Sequence, residues 1–356
     1  MKIVVAPDSF KECLSAGEVA SAIASGILSV CPEAEVSCVP LSDGGEGMTN
    51  ILTERLGAER VSVPVTGPIG ETVSASYGRG GDTAILDVAS ACGIQLVPPD
   101  RKDPLIATSR GVGELIAAAV RGGCDELVIG LGGSATCDGG EGMMAVPGLR
   151  DLTAGVRIHA LCDVDNPFVG PRGAARVFGP QKGAGPEAVE ILEERMRNHA
   201  LRILSETGTD VTDMRGAGAA GGLGGALHAY LGAELVSGIG AVLDLVGFDK
   251  EIVDADYIIT GEGASDLQTL SGKVPIGVLR RSGVVPVFLV SGRIRDREAL
   301  QGAGFSGLFQ VTPDSVPTSE AVRPDVARRN LSQASARLCR EVLMNAHLSS
   351  WARRRI

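Results

Sequence analysis

The sequence predicts an α/β protein: a wound, mostly parallel sheet domain of Rossmann or flavodoxin type, with a second α/β domain inserted into it. Three observations support this architecture. Both ends of the chain alternate short apolar strands with helices, which is the pattern of a parallel, wound sheet. The middle of the chain has a different rhythm. A length of 356 residues suffices for two domains of about 150 residues each.

The N-terminal part begins with an apolar, β-branched run, which predicts a buried strand that ends before Pro7. Ser15 and Glu18 have the spacing of a capping box, in which two side chains satisfy the free N–H groups at a helix start. The predicted elements here are strands at 2–6 and 34–40 and helices near 16–30 and 48–56. Their alternating order favours parallel pairing.

The late part of the chain repeats this alternation. Its predicted elements are strands at 257–260, 285–290 and 307–311 and helices near 274–282 and 325–345. The predicted middle elements are strands near 72–78, 83–88, 125–131 and 156–161 and helices near 111–121, 186–206 and 222–231. We therefore predict a Rossmann-like domain from residues 1–65 and 255–356, an inserted domain from residues 66–254, and an active site in the cleft between them.

Composition and charge exclude several classes of partner. The net charge of −10 argues against nucleic acid and anionic membranes, and aromatic residues at 3% are too few for a base-stacking surface. No apolar run approaches the roughly 18 residues of a membrane span, and the N-terminal apolar run is too short for a signal peptide. Eight cysteines without a C-x-x-C pair suggest reduced thiols, so we expect a cytoplasmic protein.

One glycine motif, at residues 216–221, matches the dinucleotide fingerprint G-x-G-x-x-G. That fingerprint needs a strand directly before it, and a polar loop precedes it here, which argues against an NAD site. Gly218 and Gly221 open a predicted helix whose free N–H groups would suit a phosphate. Close packing of that helix is the alternative. The chain has no G-x-x-x-x-G-K-[ST] phosphate loop and no protein-kinase motif set.

Charged side chains follow the first predicted strand. Asp8, Ser9 and Lys11 come directly after it, and loops at the carboxyl ends of parallel strands face the ligand crevice. Lys11 would hold a carboxylate or phosphate, while Asp8 would bind Mg²⁺ or orient a hydroxyl. A turn with an exposed lysine is the alternative explanation.

Two glycine-rich turns also follow strands. The residues of these turns that would contact substrate or phosphate are Asp43, Gly44, Gly45, Glu46, Ser134, Thr136 and Asp138. A glycine-rich loop between a strand and a helix can surround a phosphate with backbone N–H groups. Ordinary turns use the same residue types, but two acid-rich turns in one chain favour a site.

Three further segments complete the set of candidate groups. Asp163 and Asp165 alternate after a strand and would share one face, which suits Mg²⁺ or a base for a hydroxyl. The remaining candidates are Asn166, Gln181, Lys182, Glu262, Asp266 and Lys273. Carboxylates, lysines and glycine-rich turns together fit phosphoryl transfer, which depends on positioning and charge neutralisation. These residues by themselves do not name the acceptor.

The chain closely resembles the bacterial glycerate kinase family of the glycerate 2-kinase type. The resemblance rests on segments that keep the family's order over nearly the whole chain. These segments are MKIVVAPDSFKECL (1–14), VPLSDGGEG (39–47), VTGPIG (65–70), IGLGGSATCDGG (129–140), LCDVDNPFVGPRG (161–173), VFGPQKGA (177–184), GAGAAGGLGGAL (216–227) and residues 258–278.

This resemblance implies phosphorylation of D-glycerate with ATP and Mg²⁺, with 2-phosphoglycerate favoured over 3-phosphoglycerate as the product. It also implies a two-domain α/β fold, and it leaves homodimer formation open. The implied roles are deprotonation of the acceptor hydroxyl by Asp163 or Asp165, charge neutralisation by Lys11 and Lys182, and Mg²⁺ binding by Glu262 or Asp266.

The chain departs from the family pattern at a few positions. These are a shortened segment between Gly142 and Val156, Ser271 in place of a histidine, Ala264 in place of an arginine and Cys137 in place of an asparagine. The shortened segment and Ser271 favour an alternative function, a catalytically weakened homologue that binds a small hydroxy acid as a regulator. An NAD-dependent oxidoreductase is a third hypothesis, and it rests only on residues 216–221.

Overall fold

A computed structural model describes residues 1–11, 13–45 and 47–344. The strands are β1 Lys2–Val5, β2 Glu35–Cys38, β3 Glu59–Thr66, β4 Thr72–Gly80, β5 Thr83–Asp87, β6 Glu126–Gly130, β7 Arg157–Leu161, β8 Glu234–Val236, β9 Tyr257–Thr260, β10 Ala264–Ser265, β11 Val287–Ser291, β12 Arg293–Ile294 and β13 Gly307–Gln310. The α-helices are α1 Ala16–Leu28, α2 Met48–Arg55, α3 Ala89–Cys92, α4 Arg110–Arg121, α5 Glu141–Met144, α6 Leu149–Leu152, α7 Ala174–Phe178, α8 Pro186–Thr207, α9 Leu223–Leu231, α10 Gly238–Leu245, α11 Phe248–Glu251, α12 Val274–Arg281, α13 Arg297–Gly302, α14 Thr318–Ala321 and α15 Pro324–Leu338.

The chain forms two compact units. The first unit comprises Met1–Asp43 and Val242–Ile356, and the inserted unit comprises Gly44–Ala241. The predicted boundaries of the inserted domain, between residues 65 and 66 and between residues 254 and 255, differ from these. At the first boundary, α2 packs against β4 and β5 of the inserted unit, and β3 pairs along its whole length with β4. Strand β3 was not predicted, because it has Pro64 and a half-exposed pattern typical of an edge strand.

The first unit is built on a parallel sheet with the strand order β13-β11-β9-β1-β2. Strand β1 lies between two partners, so that Ile3 pairs with Val36 of β2 and with Tyr257 of β9. Val4 and Ile258 are fully buried, as expected for β-branched side chains on a parallel sheet. The alternation of elements at the two ends of the chain predicted this sheet correctly, and the α/β fold class is confirmed.

The strand order of this sheet reverses direction between β1 and β9. The chain runs from β1 to β2 on one side, and from β9 through β11 to β13 on the other. In open α/β sheets, ligands bind outside the carboxyl ends of the strands at such a reversal. The loops after β1 and β9 are therefore the places in the first unit where a ligand is expected.

Helix α1 begins with the capping box that the sequence predicts. The Glu18 N–H donates to Ser15 Oγ (3.3 Å), and the Ser15 N–H donates to Glu18 Oε2 (2.8 Å). The buried face of the helix includes Val19 and Ile23, which lie in the same core cluster as Leu331 of α15. The cap thus sets the start of α1, and the core sets which face is buried.

The inserted unit is built on a six-stranded sheet with the order β3-β4-β5-β6-β7-β8. Strands β3, β4 and β5 are antiparallel neighbours, while β5 to β8 are parallel. Its core includes Leu127 and Ile129 of β6 together with Leu115 of α4. The sequence predicted β4 to β7. It missed β8, whose three residues are too few to show a pattern.

The shortened segment between Gly142 and Val156 is a compact connection. It contains most of α5 and all of α6, two helices of four residues each. Met143, Val146 and Leu149 are buried in the core of the inserted unit. The segment is therefore anchored by its own apolar side chains.

Two predictions depend on residues outside the described ranges. Glu46, a predicted substrate contact, is one of these residues, and so is the last residue of the closing helix predicted at 325–345. Within residues 1–11, 13–45 and 47–344, no helix is both long enough and apolar enough to cross a membrane.

Gly221 offers a test of how tightly the inserted unit is packed. Its φ is +69°, and a Cβ there would collide with the carbonyl oxygen of Thr136. We expect Gly221→Ala to destabilise the fold by about 2–5 kcal/mol, from left-handed strain plus the collision. Gly148 has φ +70° and open space around a Cβ, so Gly148→Ala should cost only about 1–2 kcal/mol. Urea unfolding measures both, and equal losses would contradict the packing argument.

Candidate functional site

Two predicted site residues are buried carboxylates at the reversal of strand order in the first unit. Asp8 follows β1 and Glu262 follows β9, and they are 7% and 5% exposed. The Asp8 N–H donates to the carbonyl oxygen of Gly261 (2.8 Å), which joins the two loops. Asp8 Oδ1 also accepts the Ser9 N–H (2.6 Å). This carboxyl edge of the sheet, with Asp8 and Glu262, is the candidate site of the first unit.

The surroundings of Asp8 disfavour its negative charge. Burial is the largest cause, and the negative charge of Asp43 adds to it, so that the pKa of Asp8 is raised from 3.8 to about 7. The charge of Glu262 acts in the same direction. The Ser9 N–H and the exposed Lys11 lower the pKa but do not outweigh these effects. A carboxylate in such a setting is a good partner for a cation.

The Glu262 carboxylate lies in a network of polar side chains. Its Oε1 accepts hydrogen bonds from Thr269 Oγ1 (2.6 Å) and Ser265 Oγ (3.0 Å), and its Oε2 accepts one from Lys273 Nζ (3.2 Å). Ser265 Oγ is also 2.7 Å from Ser291 Oγ, at the end of β11. One ammonium and two hydroxyls therefore stabilise this buried charge.

Asp266 has a different task from Glu262. Its Oδ1 accepts the Gln268 N–H (2.8 Å), and its own N–H donates to Thr269 Oγ1 (3.0 Å). It thereby caps the short 3₁₀ helix Leu267–Ser271, which carries Thr269. Asp266 therefore helps to orient one of the donors to Glu262.

The donor sets decide which carboxylates fit Mg²⁺. Glu262 and Asp266, the predicted metal ligands, already accept protein hydrogen bonds. Across residues 1–11, 13–45 and 47–344, no group of three or more His, Cys, Asp or Glu side chains is placed to hold a metal ion. Mg²⁺ in enzymes that bind phosphates often uses only one or two carboxylates. Asp8 also accepts a hydrogen bond, from the Ser9 N–H, but Asp8 and Asp43 repel each other, and a cation would offset that repulsion.

In the inserted unit, three predicted residues come together around a buried lysine. Lys182 is 4% exposed, and its Nζ donates to Ser134 Oγ (2.9 Å) and to the Thr136 carbonyl oxygen (2.7 Å). Burial lowers the pKa of Lys182. Both acceptors belong to the glycine-rich loop, residues 132–140. Lys182 therefore holds the shape of this loop from the inside.

Asp138, at the other end of the glycine-rich loop, holds two elements together. Its Oδ2 accepts the Ser109 N–H and the Ser109 hydroxyl, each at 2.8 Å, and the Gly142 N–H at 3.1 Å. Its Oδ1 accepts the Gly140 N–H at 3.1 Å. Because four donors from the starts of α4 and α5 surround it, Asp138 has a structural role in this state.

Close packing explains Gly44 and the backbone approach at Gly45 in the predicted turn at residues 43–47. Gly44 has φ +87°, and a Cβ there would lie 2.9 Å from Leu161 Cβ. A Cβ on Gly132 would collide with Gly45 Cα. The two glycine-rich segments therefore approach each other backbone to backbone, which side chains would prevent.

The glycines of residues 216–221 are explained in the same way. A Cβ on Gly218 would collide with the Pro167 carbonyl oxygen, and one on Gly221 with that of Thr136. Both glycines are buried, and no strand directly precedes them within the described chain. Of the two explanations, close packing of α9 and its preceding turn is the one that these contacts support.

Asp163 caps a helix. Its Oδ1 accepts the Gly238 N–H (2.9 Å) and the Ser237 hydroxyl (3.0 Å), and its Oδ2 accepts the Ile239 N–H (3.2 Å). These donors lie at the start of α10, where the helix dipole also favours a negative charge. Asp163 is therefore tied to the backbone of α10.

The segment that begins at Asp163, residues 163–173, is called the acidic loop below. Asp165 is half-exposed, and its Oδ2 lies 3.6 Å from Arg172 Nη1. Asn166 Nδ2 donates to the Arg172 carbonyl oxygen (2.7 Å). Gln181, outside this loop, is exposed. Asp163 and Asp165 thus have different partners, and only Asp165 combines exposure with a cationic neighbour.

Several polar residues of these clusters were missed by sequence reasoning. They are Ser265, Thr269, Ser291, Ser109 and Arg172. Ser265 and Thr269 lie beside the predicted Glu262 and Asp266, so their proximity was an available signal. Nothing local marks Ser109 as a partner of Asp138, because the contact depends on the fold.

Buried carboxylates in the loops after β1 and β9, together with Lys182 and Lys273, define an α/β enzyme that handles anionic substrates. Comparison with known proteins gives the family. The model of the Glycerate kinase family matches residues 3–154 and 145–343. The chain belongs to the glycerate kinase family. The two matched stretches overlap at residues 145–154, within the segment that the sequence identifies as shortened.

The relatives agree with this assignment. The glycerate kinase of Bacillus subtilis is 44% identical, over 90% of this chain and 93% of that protein. The glycerate 2-kinase of Escherichia coli is 42% identical, over 94% and 96%. A crystal structure assigned as glycerate kinase 2 of Salmonella typhimurium LT2 superimposes with a TM-score of 0.83 at 38% identity, over 98% of this chain and 99% of that one.

The raised pKa of Asp8 predicts a pH-dependent stability. The folded-state pKa of about 7 lies above the ordinary value of 3.8. The stabilisation from the protonated carboxyl is therefore full below about pH 4 and is lost as the pH rises through about 7. We expect Asp8→Asn to raise the Tm relative to the wild type near pH 8 and to change it less near pH 5.

Thermal unfolding without Mg²⁺ and nucleotide, across this pH range, measures the effect. Asp100→Asn, at an exposed carboxylate, is the control and should shift the Tm equally at each pH. A constant Tm difference between Asp8→Asn and the wild type would contradict the charge argument.

Thr269→Val tests the network around Glu262. The change keeps the side-chain shape but removes the hydroxyl that donates to Glu262 Oε1, and we expect a loss of about 1.5–3 kcal/mol in the free energy of unfolding. Thr49→Val is the control, because the buried Thr49 hydroxyl has no hydrogen-bond partner in the described part of the chain. If urea unfolding shows equal effects of the two changes, the two hydrogen bonds of the Thr269 hydroxyl, to Glu262 Oε1 and from the Asp266 N–H, contribute nothing.

Proposed function

We propose that this protein transfers the γ-phosphoryl group of ATP to the C2 hydroxyl of D-glycerate, forming 2-phosphoglycerate and ADP. Membership of the glycerate kinase family over nearly the whole chain is the observation that carries the proposal. The name of the Escherichia coli relative, glycerate 2-kinase, supports transfer to the 2-position. ATP as phosphoryl donor follows from the kinase family.

The first unit has carboxylates that would bind a cation and a lysine that would bind a phosphate. Asp8 and Asp43 would hold Mg²⁺, which when bound would neutralise phosphate charge and orient the phosphates. Lys11 is exposed, and its charge acts on Asp8, so it would bind a carboxylate or phosphate beside them. The buried Glu262 and the partly exposed Lys273 form an ion pair that would support the same edge of the sheet.

In the inserted unit, Asp165 is the better of the two predicted bases. Asp163 is engaged with three donors at the start of α10, whereas Asp165 is half-exposed. Asp165 would accept the proton of the acceptor hydroxyl, and the neighbouring Arg172 would orient its carboxylate. Lys182 is buried away from solvent, so we assign it to shaping the glycine-rich loop that carries Ser134 and Thr136.

A coupled ADP-release assay tests the function. Purified protein is supplied with ATP, Mg²⁺ and D-glycerate, with L-glycerate, glycolate and tartronate in parallel. Turnover with D-glycerate alone is the expected result. The product is assigned by ³¹P–¹H correlation, because phosphorus couples to one C2 proton in 2-phosphoglycerate and to the C3 methylene protons in 3-phosphoglycerate.

The alternative of a weakened homologue makes the opposite prediction. It expects no ADP release from folded protein, together with binding of D-glycerate in calorimetry. Ser271, which favours this alternative, and Ala264, a further departure from the family pattern, are both exposed. The retained set of buried carboxylates and lysines favours the kinase.

Two single substitutions separate the roles within the acidic loop. We expect Asp165→Asn to lower kcat by about 100-fold or more with an unchanged Tm, because it removes a base at a half-exposed position. Asp163→Asn should instead lower stability by about 1 kcal/mol through a weakened helix cap. Steady-state kinetics and thermal unfolding of both variants give the answer. A double variant that keeps wild-type turnover would exclude both carboxylates as bases.

The proposal also covers the cellular compartment and the oligomeric state of the protein. The eight cysteines, all within the described residues, are free thiols, which supports a reducing compartment such as the cytoplasm. Burial raises the pKa of the thiols of Cys92, Cys137 and Cys339. A homodimer, which the sequence left open, would appear in light scattering as twice the mass of the chain.

A further inference from the structure

We propose that Glu193 is a positioning residue that orders the acidic loop for phosphoryl transfer. Glu193 lies on α8, some 20 residues beyond the acidic loop in sequence, and is only 3% exposed. Its Oε1 accepts the Gly170 N–H (2.7 Å) and a hydrogen bond from Arg197 Nη2 (2.8 Å). The proposal rests on the proposed function, because the acidic loop carries Asp165 and Asn166.

The second carboxylate oxygen shows that Glu193 is not placed for stability alone. Glu193 Oε2 is buried and has no hydrogen-bond partner among the described residues. A buried carboxylate oxygen without a donor lowers stability. A buried glutamate on α8 therefore needs another explanation. Outside its own helix Glu193 accepts the Gly170 N–H, and it also interacts with the charge of Arg176.

The contact with Gly170 reaches the functional part of the loop through a short chain of bonds. The Gly173 N–H donates to the Gly170 carbonyl oxygen (2.9 Å) and closes a turn that contains Arg172. Arg172 in turn accepts a hydrogen bond from Asn166 at its carbonyl oxygen and lies near Asp165 with its guanidinium. A fixed Gly170 therefore holds Arg172 in place, and Arg172 in turn orients the side chains of Asp165 and Asn166.

The acidic loop is held at its beginning, near its end and at Asn166, whose carbonyl oxygen accepts the Gly218 N–H (3.0 Å). Asp163 ties its beginning to the start of α10, and Glu193 ties its end to α8. Between these anchors Asp165 is half-exposed. Loss of the Glu193–Gly170 hydrogen bond would let the side chains of Asp165 and Asn166 sample positions away from the acceptor hydroxyl. Small misplacements of this kind cost about 10- to 100-fold in rate.

The experiment compares Glu193→Ala, Glu193→Gln and Glu194→Ala. Glutamine keeps an oxygen that can accept the Gly170 N–H, so Glu193→Gln is the conservative rescue. Glu194 is the next residue on α8 and is exposed, so Glu194→Ala makes the same change in helix composition without the contact. Hydrogen exchange of peptides covering the acidic loop is measured together with kcat and KM for D-glycerate and ATP.

We expect Glu193→Ala to speed exchange in the acidic loop, to lower kcat by about 10- to 100-fold and to raise KM for D-glycerate while KM for ATP stays constant. A loss of folded protein alone would lower the maximal rate and leave both KM values unchanged. The kcat and KM values of Glu193→Gln should stay within about threefold of the wild-type values. Those of Glu194→Ala should equal the wild-type values.

The proposal would be overturned if the acidic loop of Glu193→Ala exchanged hydrogen at the same rate as in the wild type. It would also be overturned if the kcat of Glu193→Gln were as low as that of Glu193→Ala. Hydrogen exchange needs no substrate. If the wild type fails to phosphorylate D-glycerate, the proposed function fails, and exchange alone still decides whether Glu193 orders the loop.

Discussion

The burial of charge is the constraint on which both units depend. Asp8 and Glu262 are buried in the first unit, and Lys182 is buried in the inserted unit. A charged group inside a protein is tolerated only when hydrogen bonds or an opposite charge replace its water. Loops that follow parallel strands supply such partners, because their N–H groups and hydroxyls are not used by the sheet. The loops of this protein are shaped largely by that requirement.

Most of the fold could be predicted from the sequence, because its signals are local. The apolar run of β1 and the capping box of Ser15 and Glu18 each act within a few residues. Strand β3 escaped prediction because an edge strand with Pro64 and half-exposed positions lacks a buried face to mark it. With β3 unrecognised, the first boundary of the inserted unit was placed too late in the chain.

The sequence could predict which residues form the candidate site, but not which of them contact one another. Lys182 and Ser134 are separated by 48 positions, and Ser109 and Asp138 by 29. Such contacts depend on which strands become neighbours, and no local pattern shows this. The family resemblance implied that Glu262 or Asp266 binds Mg²⁺. It could not show that two hydroxyls and an ammonium already surround the Glu262 carboxylate.

The burial of thiols has a consequence for the oxidative chemistry of this protein. Cys31, Cys92, Cys124, Cys137 and Cys339 are all buried. Removal from water raises the pKa of each of these thiols, so very little thiolate exists at neutral pH. Since peroxide and disulfide exchange act on the thiolate, the packing that forms the core also makes these cysteines resistant to both. The pKa of the Cys38 thiol is also raised by desolvation, but Cys38 is exposed, so electrophilic labels should reach it before any of the buried cysteines.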